Sequence, residues 1–134
     1  MKLCLAIVLA ALCGCAPTMQ TIHFGSDPPG ARIYWGNGAN EGFAQPKGFL
    51  GQTPFDWTVE VNGDHSFKAH GALVYSIFVP PAIIFEARPP AEATNLFVQR
   101  TVFHGGSIAT GADKAPERIF FDLHQATNIV HAAR

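Results

Sequence analysis

Apolar and polar residues alternate along much of the chain, and the alternation has a period of two. In Phe55-Asp56-Trp57-Thr58-Val59-Glu60-Val61, four apolar residues alternate with three polar ones. That pattern predicts a strand with one face in a core and one in water. Thr21 to Ser26 places Ile22 and Phe24 on one face. Asp27-Pro28-Pro29-Gly30 stops that strand, because proline donates no ladder hydrogen bond and glycine accepts positive φ. Ala31 to Trp35 then reads as the returning strand. Ala31, Ile33 and Trp35 share one face, and Arg32 and Tyr34 share the other.

Gly36-Asn37-Gly38 predicts a turn. The polar, glycine-rich stretch up to Gly51 predicts an exposed loop or a loose hairpin. Asn62-Gly63-Asp64 predicts a hairpin turn, with His65 to Ala69 returning. Ala72 to Phe85 carries no charge and contains Pro80-Pro81. Fourteen residues with a double proline are too short and too broken to span a bilayer. Within it, Leu73–Val79 and Ile83–Phe85 are strand candidates. Arg88 to Glu92 reads as an exposed proline-rich connection. Asn95–Phe103 and Arg118–Leu123 are further strands, separated by a flexible His104–Gly111 loop. Ala126 to Arg134 reads as one helical turn or a frayed tail. The fold class expected is all-β, a small antiparallel β-sandwich.

Composition agrees with this. Charged residues make up 14 %, and Gly and Pro are frequent at 13 and 10, which favours short strands and turns over helices. The 48 % hydrophobic content argues against disorder. The net charge is −1 with no basic run, so the electrostatic footprint of a nucleic-acid binder is missing.

The first residues have a separate logic. Lys2 precedes an uncharged apolar run from Leu3 to Leu12, followed by Leu12-Cys13-Gly14-Cys15. The run matches the core of a secretory signal and is shorter than the about 20 residues of a membrane-spanning helix. Leu12 to Cys15 resembles the bacterial lipobox, with Cys13 where Ala or Ser is commoner. The resemblance implies cleavage before Cys15 and acylation of its thiol and new amine, since stable anchoring takes more than one acyl chain. The three cysteines lie at positions 4, 13 and 15. Cleavage removes two and acylation consumes the third, leaving no disulfide and no thiolate metal ligand. Ala16 follows the anchor rather than Asp, which favours an outer membrane with the domain facing the periplasm.

Ser26-Asp27-Pro28-Pro29-Gly30-Ala31-Arg32-Ile33-Tyr34, then Gly51-Gln52-Thr53-Pro54-Phe55, then Asn62-Gly63-Asp64-His65 together resemble the PEGA domain. The resemblance covers Thr21 to Gly71. Pro29 stands where that family has its name-giving Glu, Ala72 where it commonly has Tyr, and the Gly36–Leu50 loop is longer than usual. The resemblance implies a small prealbumin-like β-sandwich found on extracytoplasmic proteins, with no shared catalytic residues. The expected organisation is a lipoprotein signal peptide over 1–14, a lipidated tether over 15–20, a PEGA-like β-sandwich with a C-terminal extension over 21–125, and a tail over 126–134.

Three functional expectations follow. The first is a non-catalytic module, without cofactor, that contacts envelope glycan or a protein partner through Tyr34, Phe43 and Phe49. Exposed aromatics beside Asn37, Asn40 and Gln45 can stack on sugar rings or fill a partner's pocket; they can equally cap the sandwich edge. The second is a structural component of an envelope assembly, docking through the apolar Ala72–Phe85 segment. The third and weakest is a hydrolase using His104, Ser107 and Asp113, although no G-x-S-x-G nucleophile turn is present. A metal site drawn from His65, His70, His104, His124 and His131 is disfavoured, because spacing of five on a strand turns His65 and His70 to opposite faces.

Overall fold

The strongest alternating segments become the strands of two packed sheets. The computed structural model describes residues 17–38, 48–68, 82–105, 112–126 and 130–131. Its strands are β1 (Thr18–Asp27), β2 (Arg32–Gly38), β3 (Gly48–Gln52), β4 (Phe55–Val61), β5 (Ala82–Arg88), β6 (Gln99–His104), β7 (Arg118–Asp122) and β8 (Val130–His131). One sheet has the order β4-β1-β7 and the other β3-β2-β5-β6-β8. Pairing is antiparallel except for β1 with β7 and β6 with β8. The expected β-sandwich is the fold observed. Among the described residues, no helix is long and apolar enough to cross a membrane.

The inner faces carry the residues that alternation assigned to them. Ile22 and Phe24 of β1, Val59 and Val61 of β4, and Ile119 and Phe121 of β7 meet Ile33 of β2, Phe85 of β5 and Phe103 of β6 in one core. Trp35 and Trp57 pack against it, partly buried. Phe85 touches rings from both sheets. Its centroid lies 5.2 Å from Phe24, 5.7 Å from Trp57, 6.1 Å from Phe67 and 6.0 Å from Phe103. Such offset and edge-on contacts add to the area each ring removes from water.

Several expectations are corrected. β1 starts at Thr18, so Thr18–Gln20, expected in the tether, pair with Val61, Glu60 and Val59 of β4. β2 does not return alongside β1 but joins the other sheet, so Pro28–Gly30 is an arch between layers rather than a hairpin turn. Gly36-Asn37-Gly38 is not a turn: it continues β2, opposite Ile84, Ile83 and Ala82 of β5. β5 runs from Ala82 to Arg88, well beyond Ile83–Phe85, and its first six residues are all buried. It does not alternate because both of its faces are covered; Ala82 and Ile84 form a second apolar cluster with Val102 on the outer face. β6 starts at Gln99 rather than Asn95, which holds a left-handed φ of 63° in the preceding loop. Val130 and His131, expected in a helical turn or tail, form a short strand beside Thr101 and Val102. Of the His65–Ala69 return, only bridges at Ser66 and Phe67 form among the described residues.

The arch explains why Ser26, Gly30 and Thr53 stand where they do. The chain passes between the sheets twice here, from β1 to β2 and back from β3 to β4. Gly30 takes a φ of 91°, which only glycine adopts without strain. Thr53 is buried, and its Oγ1 accepts from the Gly30 N–H at 3.2 Å and the Ala31 N–H at 3.0 Å. Ser26 Oγ donates to the Pro28 carbonyl at 2.7 Å, so the proton shared across the 2.5 Å Ser26–Thr53 contact comes from Thr53. Backbone bonds between Gly30 and Thr53 and between Thr53 and Ala31 complete the lock. Thr53→Val leaves the Ala31 donor and the Ser26 hydroxyl without their buried partner. It is expected to cost about 1–3 kcal/mol in urea unfolding, while Thr53→Ser retains near-native stability.

Candidate binding face

The two predicted aromatic contacts that fall within the described residues come together on the outer face of the five-stranded sheet. Tyr34 lies on β2 and Phe49 on the edge strand β3. The register between them shifts between Ile33 and Tyr34: Ile33 faces Gly51, yet Tyr34 faces Phe49. Leu50 is therefore the extra residue of a β-bulge. The bulge turns Leu50 toward the core, against which it packs, and brings Phe49 out beside Tyr34. Regular pairing would have set Leu50 opposite Tyr34. Phe49 is 57 % exposed, and its ring centre stands 5.5 Å from that of Tyr34 at 58°. Gly48 permits the edge strand to lie this close, since a Cβ there would sit 2.5 Å from Trp35 Nε1.

Charged side chains extend the face across β5 and β6. The Arg88 guanidinium lies 4.3 Å from the centre of the Tyr34 ring, a cation–π distance. Glu86, a buried residue, accepts from Arg88 Nε through Oε1 and from Arg100 Nε through Oε2, each at 2.6 Å. Its hydrogen bond to Arg88 raises that guanidinium's pKa above its ordinary value. Arg32, on the Tyr34 face of β2 and opposite Arg88 in register, has a buried Nε with no hydrogen-bond partner. The alternation of β2 had already placed Arg32 beside Tyr34. Arg88, Arg100 and Glu86 were not identified from the sequence, because nothing local reveals which strands pair.

The remaining expected sites fare differently. Cys15, Phe43, His70 and Ser107 lie outside the described residues. His104 and Asp113 do meet: Asp113 Oδ2 is 3.1 Å from His104 Nδ1 and accepts the His104 backbone N–H at 2.8 Å. The Asp113 N–H in turn donates to the His104 carbonyl at 2.7 Å. Side-chain and backbone contacts together tie the end of β6 to the segment before β7. His65 sits in the turn after β4 with φ 64°, and His124 is exposed. Among the described residues no group of three His, Cys, Asp or Glu side chains is placed to hold a metal. Ala82–Phe85, the described part of the expected docking segment, is buried within β5.

The opposite sheet carries an open depression of about 550 Å³ that includes His23, Asp56 and Arg118. His23 Nδ1 and Asp56 Oδ1 are 2.5 Å apart, with both side chains more than half exposed. Such a solvated pair contributes little to stability.

Fold and face together define a two-sheet β-sandwich with an aromatic and arginine-rich outer surface at one sheet edge. Comparison of the chain with known protein families, curated proteins and solved structures finds no match.

Proposed function

We propose that this chain is a lipid-anchored, non-catalytic module of a bacterial cell envelope that binds envelope glycan through the Tyr34–Phe49 face. The observation that carries the reading is the pair of the exposed Phe49 ring and the half-buried Tyr34 ring, brought together by a bulge, with the Arg88 guanidinium over Tyr34. Aromatic faces pack against the C–H faces of sugar rings, and a rigid pair loses little entropy on binding. The anchor rests on Lys2, the apolar Leu3–Leu12 run and the Leu12-Cys13-Gly14-Cys15 lipobox. Ala16 after the anchor favours the outer membrane, with the sandwich facing the periplasm. The PEGA-like segments support an extracytoplasmic scaffold without catalytic residues.

The full chain in detergent micelles is expected to co-sediment with purified, protein-free peptidoglycan sacculi. Tyr34→Ala combined with Phe49→Ala is expected to weaken that retention about tenfold or more, equivalent to roughly 1.4 kcal/mol. Both positions lie outside the core, so melting temperature should change little. Retention unchanged in the double variant, or absent in the parent chain, overturns the reading. The same preparation tests the anchor: mass spectrometry should find an acylated mature chain starting at Cys15, and Cys15→Ser should stay full length and unacylated.

A further inference from the structure

The balance of charge on the face specifies the ligand further than the aromatic rings do. Its described strand positions on β2, β5 and β6 include Arg32, Arg88 and Arg100 but a single acid, Glu86. Three positive charges against one negative leave an excess of two. Glu86 already gives one oxygen to Arg88 and the other to Arg100. Arg32 faces Arg88 directly in register, and like charges in that relation repel. The Arg32 Nε is meanwhile buried with no acceptor, a state that costs free energy in the unliganded protein. A donor packed only for stability would be paired or left in water. This Nε, on a half-buried arginine beside a second arginine and next to the Tyr34–Phe49 pair, is instead placed to meet an incoming oxyanion.

We infer that this face selects acidic sugars, the ring lying on Tyr34 and Phe49 and its oxyanion seated between Arg32 and Arg88. The inference rests on the glycan-binding reading above and adds to it the charge of the ligand. A carboxylate and a phosphate share the required chemistry, and both offer two oxygens to a guanidinium fork. Glu86 fixes Arg88 and Arg100 in place, and Arg32 is the residue left to respond to the ligand.

The test is calorimetric titration of the full chain in detergent micelles with three probes: a galacturonic acid oligosaccharide, its carboxyl-reduced neutral counterpart, and galactose phosphate. The acidic oligosaccharide is expected to bind about tenfold more tightly than the neutral one, and the difference should shrink as salt is raised. Preference for galactose phosphate over the neutral sugar supports the inference equally, and the stronger of the two acids names the anion. Arg32→Met should erase the preference while holding or raising the melting temperature, because it removes a buried donor that had no partner; a purely structural arginine would lower it. Equal binding of acidic and neutral sugars, or a preference that survives Arg32→Met, overturns the inference. If the acidic and neutral sugars bind equally and Phe49→Ala weakens both, the glycan reading stands without the charge selection. If none of the three binds, both fall.

Discussion

Phe85→Ala is expected to lower the unfolding free energy by about 3–5 kcal/mol, the range for deleting a buried aromatic ring. Phe85 is fully buried and is the one ring that meets Phe24, Trp57, Phe67 and Phe103 together. Its neighbours are held on three strands of two sheets and on the segment after β4, so they cannot all collapse into the space left behind. Urea denaturation should show a lower midpoint with an unchanged slope. The comparison is Phe120→Ala on the opposite sheet, where Phe120 is 52 % exposed over Gly25. A Phe85→Ala midpoint as close to the parent's as that of Phe120→Ala would contradict the packing described.

The second large effect is expected at Glu86. Its carboxylate is buried between Arg88 and Arg100, whose side chains are 44 % and 36 % exposed. Breaking a fully buried ion pair costs roughly 3–5 kcal/mol. Both arginines can turn partly to solvent, so Glu86→Ala is expected to cost less, about 2–3 kcal/mol. The loss should be non-additive. Once Glu86 is gone, Arg100→Ala should cost little more, because the interaction it would remove is already absent. Additive losses in that double-mutant cycle would mean that Glu86 acts through packing alone.

The parts of this fold that were legible in the sequence are those with one wet face. β4 alternates cleanly and β7 does so apart from the exposed Phe120, and their Val59, Val61, Ile119 and Phe121 are core residues as alternation requires. β5 was seen only in part, because Ala82, Ile84 and Glu86 are buried on its second face and the period-two signal vanishes. Gly36-Asn37-Gly38 carries the local signature of a turn, yet pairing with β5 overrides it. Such tertiary override is common for strands, whose propensities depend on their neighbours. β8 is only two residues long, too short to show any period. The binding face divides along the same line. Tyr34, Arg32 and Phe49 were visible as outward or loop positions, while Arg88, Glu86 and Arg100 reach them only through strand pairing between distant parts of the chain. The Ser26–Thr53 lock was visible as a motif, but its purpose, closing two crossings between layers, emerges only in three dimensions.

The position of β1 has a consequence for how the molecule is made. β1 lies between β4 and β7, and Gln20 donates to the Ala115 carbonyl 95 residues further on. A nascent chain that has been released only as far as β4 can pair one side of β1 and must leave the other bare until β7 emerges. During that interval it presents an open ladder to any neighbouring polypeptide, so products terminated before Arg118 are expected to aggregate where the 134-residue chain does not.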